Sequence, residues 1–255
     1  MSTLLKNLFL YSCLIFLFSQ ESLAQNISNF TDANGKKQGY WKKFDDQGKL
    51  KYEGNFYDNI PTGKFIYYYS SGKIKTISTI SASGKVSYTT MYYPNGKIMA
   101  VGKYLENVKD SLWKYFNEEE ILISEEMFKN GKKESVSHNY YADGKISEEI
   151  NWKNGIKDGE NQQYFKDGSI KTSLFYKNDV LDGPAISYYS NGKIMVSGNY
   201  NKNLHDGVWI YYTDKGEVEK KLTYKNGDLT EEKVFIQPVS DEKPKVKIEI
   251  PQMPE

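Results

Sequence analysis

Eight times in succession, with no residue inserted or lost, the chain repeats a 24-residue pattern, from positions 39, 63, 87, 111, 135, 159, 183 and 207. A fixed period of this length marks a repeat array, in which one unit is too small to bury a core and neighbours must stack. With the first residue of each unit as offset 0, offset 5 is always aromatic: Phe44, Tyr68, Tyr92, Phe116, Tyr140, Tyr164, Tyr188 and Tyr212. Offset 9 is glycine at Gly48, Gly72, Gly96, Gly144, Gly168, Gly192 and Gly216, with Glu120 the exception. Offset 11 is a branched aliphatic, Leu50, Ile74, Ile98, Leu122, Ile146, Ile170, Ile194 and Val218. Offset 17 is Phe56, Ile80, Tyr104, Phe128, Trp152, Tyr176, Tyr200 and Tyr224.

These spacings translate into backbone. The polar stretch between offsets 5 and 11 ends in glycine, and dipeptides such as Asn95-Gly96 and Asp143-Gly144 are strong hairpin signals. A three-residue loop over offsets 7 to 9 puts glycine where a left-handed backbone is needed and sets offset 5 opposite offset 11. A two-residue loop would instead oppose offset 5 to the chemically mixed offset 12, so the first register is preferred. Alternation then predicts that offsets 5, 11 and 17 share one supporting face. Each unit reads as strand, tight turn, strand and a second polar connection such as Lys153-Asn154-Gly155. The expected fold is all-β: a solenoid-like array of eight 24-residue β-hairpin repeats forming one long twisted antiparallel sheet.

The units GVWIYYTDKGEVEKKLTYKNG from Gly207 and GYWKKFDDQGKLKYEGNFYDN from Gly39 carry G-x-W-x-x-aromatic-x-x-x-G-x-aliphatic. That pattern resembles the bacterial variant of the MORN repeat, over roughly 34 to 230. The departures are Ser87, Ser111 and Ser135 at offset 0, and Thr89, Ser137, Asn161 and Ala185 where an aromatic is expected at offset 2. In those central units the sheet is expected to be weakest. The resemblance implies a scaffold; relatives include antitoxin or immunity partners, and MORN proteins more widely are associated with lipid or protein contacts.

The flanks differ in composition. Residues 1–24 hold Lys6, an apolar run from Leu8 to Phe18 and the small residues Ser22 and Ala24, which read as a cleavable secretory signal, too short to span a bilayer. An uncleaved anchor and a lipoprotein built on Cys13 are the alternatives. Export implies the periplasm, the outer-membrane surface or the extracellular space. Residues 25–33 form a polar lead-in, the array follows over 34–230, and residues 231–255, rich in proline and charge, are expected to be a flexible tail. Within it KVKIEI alternates as a strand does and offers a cap for the last hairpin's edge.

Cys13 is the only cysteine, so the cleaved chain has none for a disulfide, a metal or a nucleophile. The formal charge is +1 and every basic residue is lysine. Balanced charge without a guanidinium fork argues against a nucleic-acid partner. His138 and His205 fall in distant repeats, which excludes a two-histidine metal or acid/base site. The pairs Glu125-Glu126 and Glu148-Glu149 and the triplet Glu118-Glu119-Glu120 are sequence neighbours without a cleft between them, as a glycosidase would require. No serine sits in a G-x-S-x-G turn and no phosphate-cradling glycine loop occurs. The expectation is no enzyme, no metal and no cofactor.

What remains unexplained is aromatic. Offset 6 holds Tyr69, Tyr93, Tyr141, Phe165 and Tyr189, which alternation sets on the face opposite offset 5. Cross-strand pairing on both faces explains such a row as structure. A contact stripe for a partner explains it as function. The resulting expectation is an exported, non-enzymatic scaffold that binds a protein through its sheet surface. An envelope polysaccharide, a lipid surface or a toxin to be neutralised are the alternative partners.

Overall fold

The computed structural model describes residues 28–236. The predicted signal with Cys13, the start of the lead-in, and residues 237–255 with KVKIEI lie outside the described residues. Among the described residues every regular element is a β-strand. The chain divides into two compact units, Met1–Lys85 and Val86–Glu255.

In the first unit, β1 (Phe30–Thr31), β2 (Lys37–Phe44), β3 (Leu50–Tyr57), β4 (Ile60–Tyr68) and β5 (Ile74–Ile80) pair antiparallel in chain order. The second unit is itself an antiparallel meander. It begins with β6 (Val86–Tyr92), β7 (Ile98–Leu105), β8 (Val108–Phe116), β9 (Leu122–Lys129), β10 (Lys132–Lys133), β11 (Ser135–Tyr140) and β12 (Ile146–Lys153). It ends with β13 (Ile156–Lys157), β14 (Gly159–Tyr164), β15 (Ile170–Lys177), β16 (Val180–Tyr188), β17 (Ile194–Asn201), β18 (Leu204–Tyr212), β19 (Val218–Lys225) and β20 (Asp228–Val234). β20 pairs with β19, so residues 231–234, assigned to the tail by composition, belong to the sheet.

Every hairpin has the register the turn spacing predicts: Phe44 opposes Leu50, Tyr92 opposes Ile98 and Tyr212 opposes Val218. The central units keep it too, with Tyr140 opposite Ile146 and Tyr164 opposite Ile170. The faces, however, are not those expected. Next to each turn the pairing slips by one residue; Lys43 opposes Tyr52 while Phe44 opposes Leu50, leaving Lys51 as an extra residue. One such bulge reverses the parity of everything beyond it. Offsets 5 and 11 therefore lie on one face, hereafter the outer face, and offset 17 lies on the other. Phe44 and Ile74 are accordingly exposed.

The buried residues show where the core is. Among the described residues they fall at offsets 2, 13, 15 and 17 and nowhere else: Phe65, Trp113 and Trp209 at offset 2, Ala100 and Val196 at 13, Leu222 at 15, Phe56 and Phe128 at 17. In the first unit Phe65 packs on Tyr52, Phe56 and Tyr67 at ring distances of 5.4, 5.3 and 5.5 Å. The second unit has one cluster of Ala100, Trp113 and Phe128 and another of Ala185, Val196, Trp209 and Leu222.

The aromatic at offset 2 has a partner the sequence pattern did not reveal. A Cβ on Gly54, Gly102 or Gly198, at offset 15 of the preceding repeat, would stand 2.1, 2.2 and 2.2 Å from the rings of Phe65, Trp113 and Trp209. Glycine there leaves room for the ring. Where offset 2 is Ser137, Asn161 or Ala185, the preceding offset 15 is Glu126, Ile150 or Leu174, and Leu174 is the cross-strand partner of Ala185. Volume is thus conserved across these three junctions, which is why the sheet persists through the units of Ser137, Asn161 and Ala185.

Besides the second connection, where pairs such as Asn178 and Asp179 take φ values of +53° and +65°, two positions of most repeats take a left-handed backbone. One is the turn, where Gly192 has φ +81° and donates its N–H to the Tyr189 carbonyl at 2.9 Å. The other is offset 0, where Ser111 and Ser135 take φ values of +61° and +67° in place of glycine. A Cβ at Gly192 meets no neighbour within 4 Å, so Gly192→Val would cost roughly 1–2 kcal/mol by backbone strain alone. Glu120 already carries this strain at φ +65°, so Glu120→Gly should change stability in the opposite direction, by about 0.5 kcal/mol. Urea denaturation of both variants checks the pair; destabilisation by both would refute the turn assignment.

Candidate functional site

The outer face of the second unit carries two kinds of row, both set by alternation. Offsets 1 and 16 oppose each other across every hairpin, as in Tyr88 with Lys103, Leu112 with Met127, Glu160 with Phe175 and Val208 with Thr223. Five of these residues are exposed apolar or aromatic side chains: Tyr88, Leu112, Met127, Phe175 and Val208. Tyr88 is the most open, at 64%. Because each occupies the equivalent place in its repeat, they lie along one line crossing the strands.

Beside that line, offsets 3, 5 and 14 build a polar lattice. In the first unit Glu53 accepts from the hydroxyl of Tyr68 at 2.6 Å and from that of Tyr40, which reaches across from offset 1, with the Lys42 ammonium at 3.6 Å. In the second, Glu125 accepts from Tyr140 at 2.8 Å and pairs with Lys114 at 2.7 Å, while Glu149 accepts from Tyr164 at 2.8 Å and lies 3.4 Å from His138. Burial first, and then the hydrogen bond to a carboxylate, pushes Tyr40, Tyr68, Tyr140 and Tyr164 up to about 12. The Tyr40 hydroxyl, ahead of Tyr68, holds Glu53 below the usual carboxylate range, and the Lys114 ammonium, ahead of Tyr140, does so for Glu125.

The signs give a pH prediction. A carboxylate with a depressed folded value contributes stability above its unfolded value, lost as pH falls through the folded one; a tyrosine with a raised value contributes below about 10, lost as pH climbs towards 12. Stability should therefore fall at both extremes. In an alkaline ultraviolet titration of the folded chain, Glu125→Gln should move one tyrosine from the late phase to an earlier one. An unchanged late phase would contradict the Tyr140–Glu125 link.

The adjacent carboxylates do not act as pairs. Glu125 and Glu149 face outward, whereas Glu126 meets Lys133 at 2.6 Å and Glu148 accepts from Asn139 at 2.8 Å on the core face. No cluster of metal-binding side chains occurs among the described residues. His138 stands between Glu125 and Glu149 on β11, while His205, on β18, has ring centres of Trp209, Tyr224 and Tyr200 at 4.2, 4.8 and 5.0 Å. Burial pulls the His205 value down.

The offset-6 row lies at the hairpin turns. Tyr69, Tyr93, Tyr141, Phe165 and Tyr189 are half-buried. The hydroxyls of Tyr93, Tyr141 and Tyr189 donate to the carbonyls of Phe116, Tyr164 and Tyr212, one repeat on, at 2.8, 2.5 and 2.8 Å. These tyrosines stitch successive turns together, which spends the hydroxyl proton and leaves a partner the ring surface and the acceptor side of each oxygen. The turn glycines Gly48, Gly72, Gly96, Gly144, Gly168, Gly192 and Gly216 all have positive φ.

A further row escaped the sequence reading. Lys109 places its ammonium 4.7, 5.0 and 4.9 Å from the ring centres of Trp113, Tyr115 and Phe128; Lys133 lies 4.6 Å from Trp152, and Lys157 5.1 Å from Tyr176. All three sit at offset 22, which His205 occupies in its own repeat. These lysines cover the edge of the aromatic core with stem and charge. The signal for them was a lysine recurring at one offset of consecutive units.

Comparison with known proteins follows the repeat. A family model described as MORN repeat variant matches residues 37–59, 61–80, 83–106, 139–154, 157–178, 181–202 and 206–226, more than half of the chain. No curated protein is matched. Among solved structures, the crystal structure of TcdB2-TccC3-TEV is similar at 14% identity with a TM-score of 0.22, covering 80% of this chain and 14% of that one. The crystal structure of TcdB2-TccC3-Cdc42 is similar at 13% identity and 0.20, over 75% and 12%. The Photorhabdus luminescens Tc holotoxin pore is similar at 13% and 0.18, over 71% and 12%. The chain thus spans a small fraction of the solved chains it matches.

Proposed function

Since this chain belongs to the MORN repeat variant family, we propose that it is an exported, non-enzymatic scaffold that holds a protein partner on the outer face of its second unit. The observation carrying this reading is the line of Tyr88, Leu112, Met127, Phe175 and Val208. Apolar side chains aligned on a strand surface cost solubility unless something covers them. Their flanks of lysine, glutamate and tyrosine hydroxyl resemble the polar rim of a protein interface. Support for export is the apolar run from Leu8 to Phe18 followed by Ser22 and Ala24.

Site-specific photo-crosslinking in the producing cell tests the interface. Probes at Leu112, Phe175 and Val208 should give one protein adduct of common mass, and a probe at Asn191 in a turn should give none. Labelling confined to polysaccharide, or equal at all four positions, would overturn the reading. Recovered protein should begin at Gln25; a chain retaining Met1 would contradict export with cleavage.

A further inference from the structure

Lys109, Lys133 and Lys157 occupy offset 22 of consecutive repeats, and Lys109 is set apart from the other two by what its amine touches. Lys133 pairs with the Glu126 carboxylate at 2.6 Å, and Lys157 lies 5.1 Å from the Tyr176 ring. Lys109 stands 4.7, 4.9 and 5.0 Å from the rings of Trp113, Phe128 and Tyr115 and donates to the uncharged Tyr115 hydroxyl at 2.6 Å. Trp113 and Phe128 are buried, whereas Lys109 is half-buried, so its side chain is walled by rings and still partly open to solvent.

We propose that Lys109 is an amine nucleophile that captures small uncharged aldehydes as imines on the core face of the second unit. The titratable groups facing it come from four strands: Tyr104 on β7, Tyr115 on β8, Glu126 on β9 and Lys133 on β10. The ring faces attract the ammonium form, while loss of water and a second ammonium nearby disfavour it. Burial leads, with Glu126 opposing it and Lys133 reinforcing it, and the Lys109 value falls below that of an ordinary lysine. More of the side chain is thereby free amine at neutral pH, the activation that apolar surroundings beside another cation give a lysine. The Lys133 charge is met by Glu126 and is not spare for a carboxylate or phosphate, so the ring walls suit an uncharged carbonyl compound.

The step balances without a co-reactant. The Lys109 nitrogen lone pair bonds to the carbonyl carbon, and a proton moves from nitrogen to oxygen to give a carbinolamine. The carbon–oxygen bond then breaks and the oxygen leaves as water with both amine protons, so that one C=N bond replaces one C=O bond. The Tyr115 hydroxyl, 2.6 Å from the nitrogen, is placed to relay these protons. Burial, ahead of the Glu126 carboxylate, raises its value and keeps it a proton donor at neutral pH.

Reductive labelling of the full chain with propionaldehyde and cyanoborohydride, read lysine by lysine by peptide mass spectrometry, tests the assignment. At neutral pH Lys109 should be labelled at least about fivefold faster than Lys133 and Lys157, and its rate should half-rise at a pH below the value of about 10.4 usual for lysine. In concentrated guanidinium chloride the three rates should converge. Lys133→Gln should slow labelling of Lys109 about twofold, because it removes the neighbouring ammonium and leaves Glu126 to hold the charged form of Lys109. Labelling of Lys109 no faster than that of Lys157, an advantage that survives in guanidinium chloride, or a rate that Lys133→Gln leaves unchanged would overturn the proposal.

Discussion

Gly198→Leu should destabilise the chain by roughly 3 kcal/mol, and adding Trp209→Ala to the same chain should restore most of that loss. The new Cβ alone would lie 2.2 Å from the Trp209 ring, and the indole cannot withdraw because it is 5% exposed and donates its Nε1–H to the Asn199 carbonyl at 3.1 Å. Trp209→Ala by itself opens a hole worth about 3–5 kcal/mol. Together the two substitutions recreate the Leu174–Ala185 junction that the chain already tolerates two strands earlier. Equilibrium denaturation of both single variants and the double should give a coupling of about 2 kcal/mol or more in the favourable sense. Additive losses would mean that the exchange of volume across the junction is coincidental.

Trp113→Ala carries the second large expected effect, a loss of about 4 kcal/mol and a fall of roughly 10 °C in Tm for a chain of this size. The side chain is wholly buried. It donates Nε1–H to the Lys103 carbonyl at 3.1 Å, meets Tyr104 at a ring distance of 4.9 Å, and supports the Lys109 ammonium. Trp152 is the internal control: it donates to the Ser137 hydroxyl at 2.8 Å in a polar stretch of the core face and belongs to neither apolar cluster. Trp152→Ala should therefore cost about half as much, and calorimetry of the two variants reads the difference. Equal losses would show that the core is uniform along the array and not concentrated in clusters.

The hairpins were legible because a glycine with few conformational substitutes recurs at fixed distance from an aromatic and an aliphatic, and those three positions define both the turn and its register. The faces were not legible, because parity counting assumes an unbroken ladder and the extra residue beside each turn, such as Lys51, leaves no compositional trace. Tyr188 and Ile194 were thereby placed with Tyr200, although they belong to the opposite surface. Gly102 and Gly198 went unread for a related reason: a glycine inside a strand looks like a weak point until the ring that occupies its missing side chain is seen. Of the surface, the tyrosine row at Tyr93, Tyr141 and Tyr189 was visible as composition, yet which atoms its hydroxyls reach is a property of the stacking of repeats. The line through Leu112 and Val208 was hidden because single apolar residues at an otherwise variable offset align only once the repeats are laid side by side.

The fitting of Gly198 to Trp209 and of Leu174 to Ala185 has a consequence for how such a chain can grow or shrink. A unit of this array is not freely interchangeable, since each carries at its end a socket or a filler cut for the residue that opens the next. Excising residues 159–182 would bring Ile150 ahead of Ala185, a seam of large against small like the one removed. Excising residues 183–206, a loss of identical length, would bring Leu174 ahead of Trp209 and force two large side chains into one place. The first shortened chain should fold and the second should not, which makes the seam between neighbours, and not the 24-residue unit, the piece that duplication or deletion must preserve.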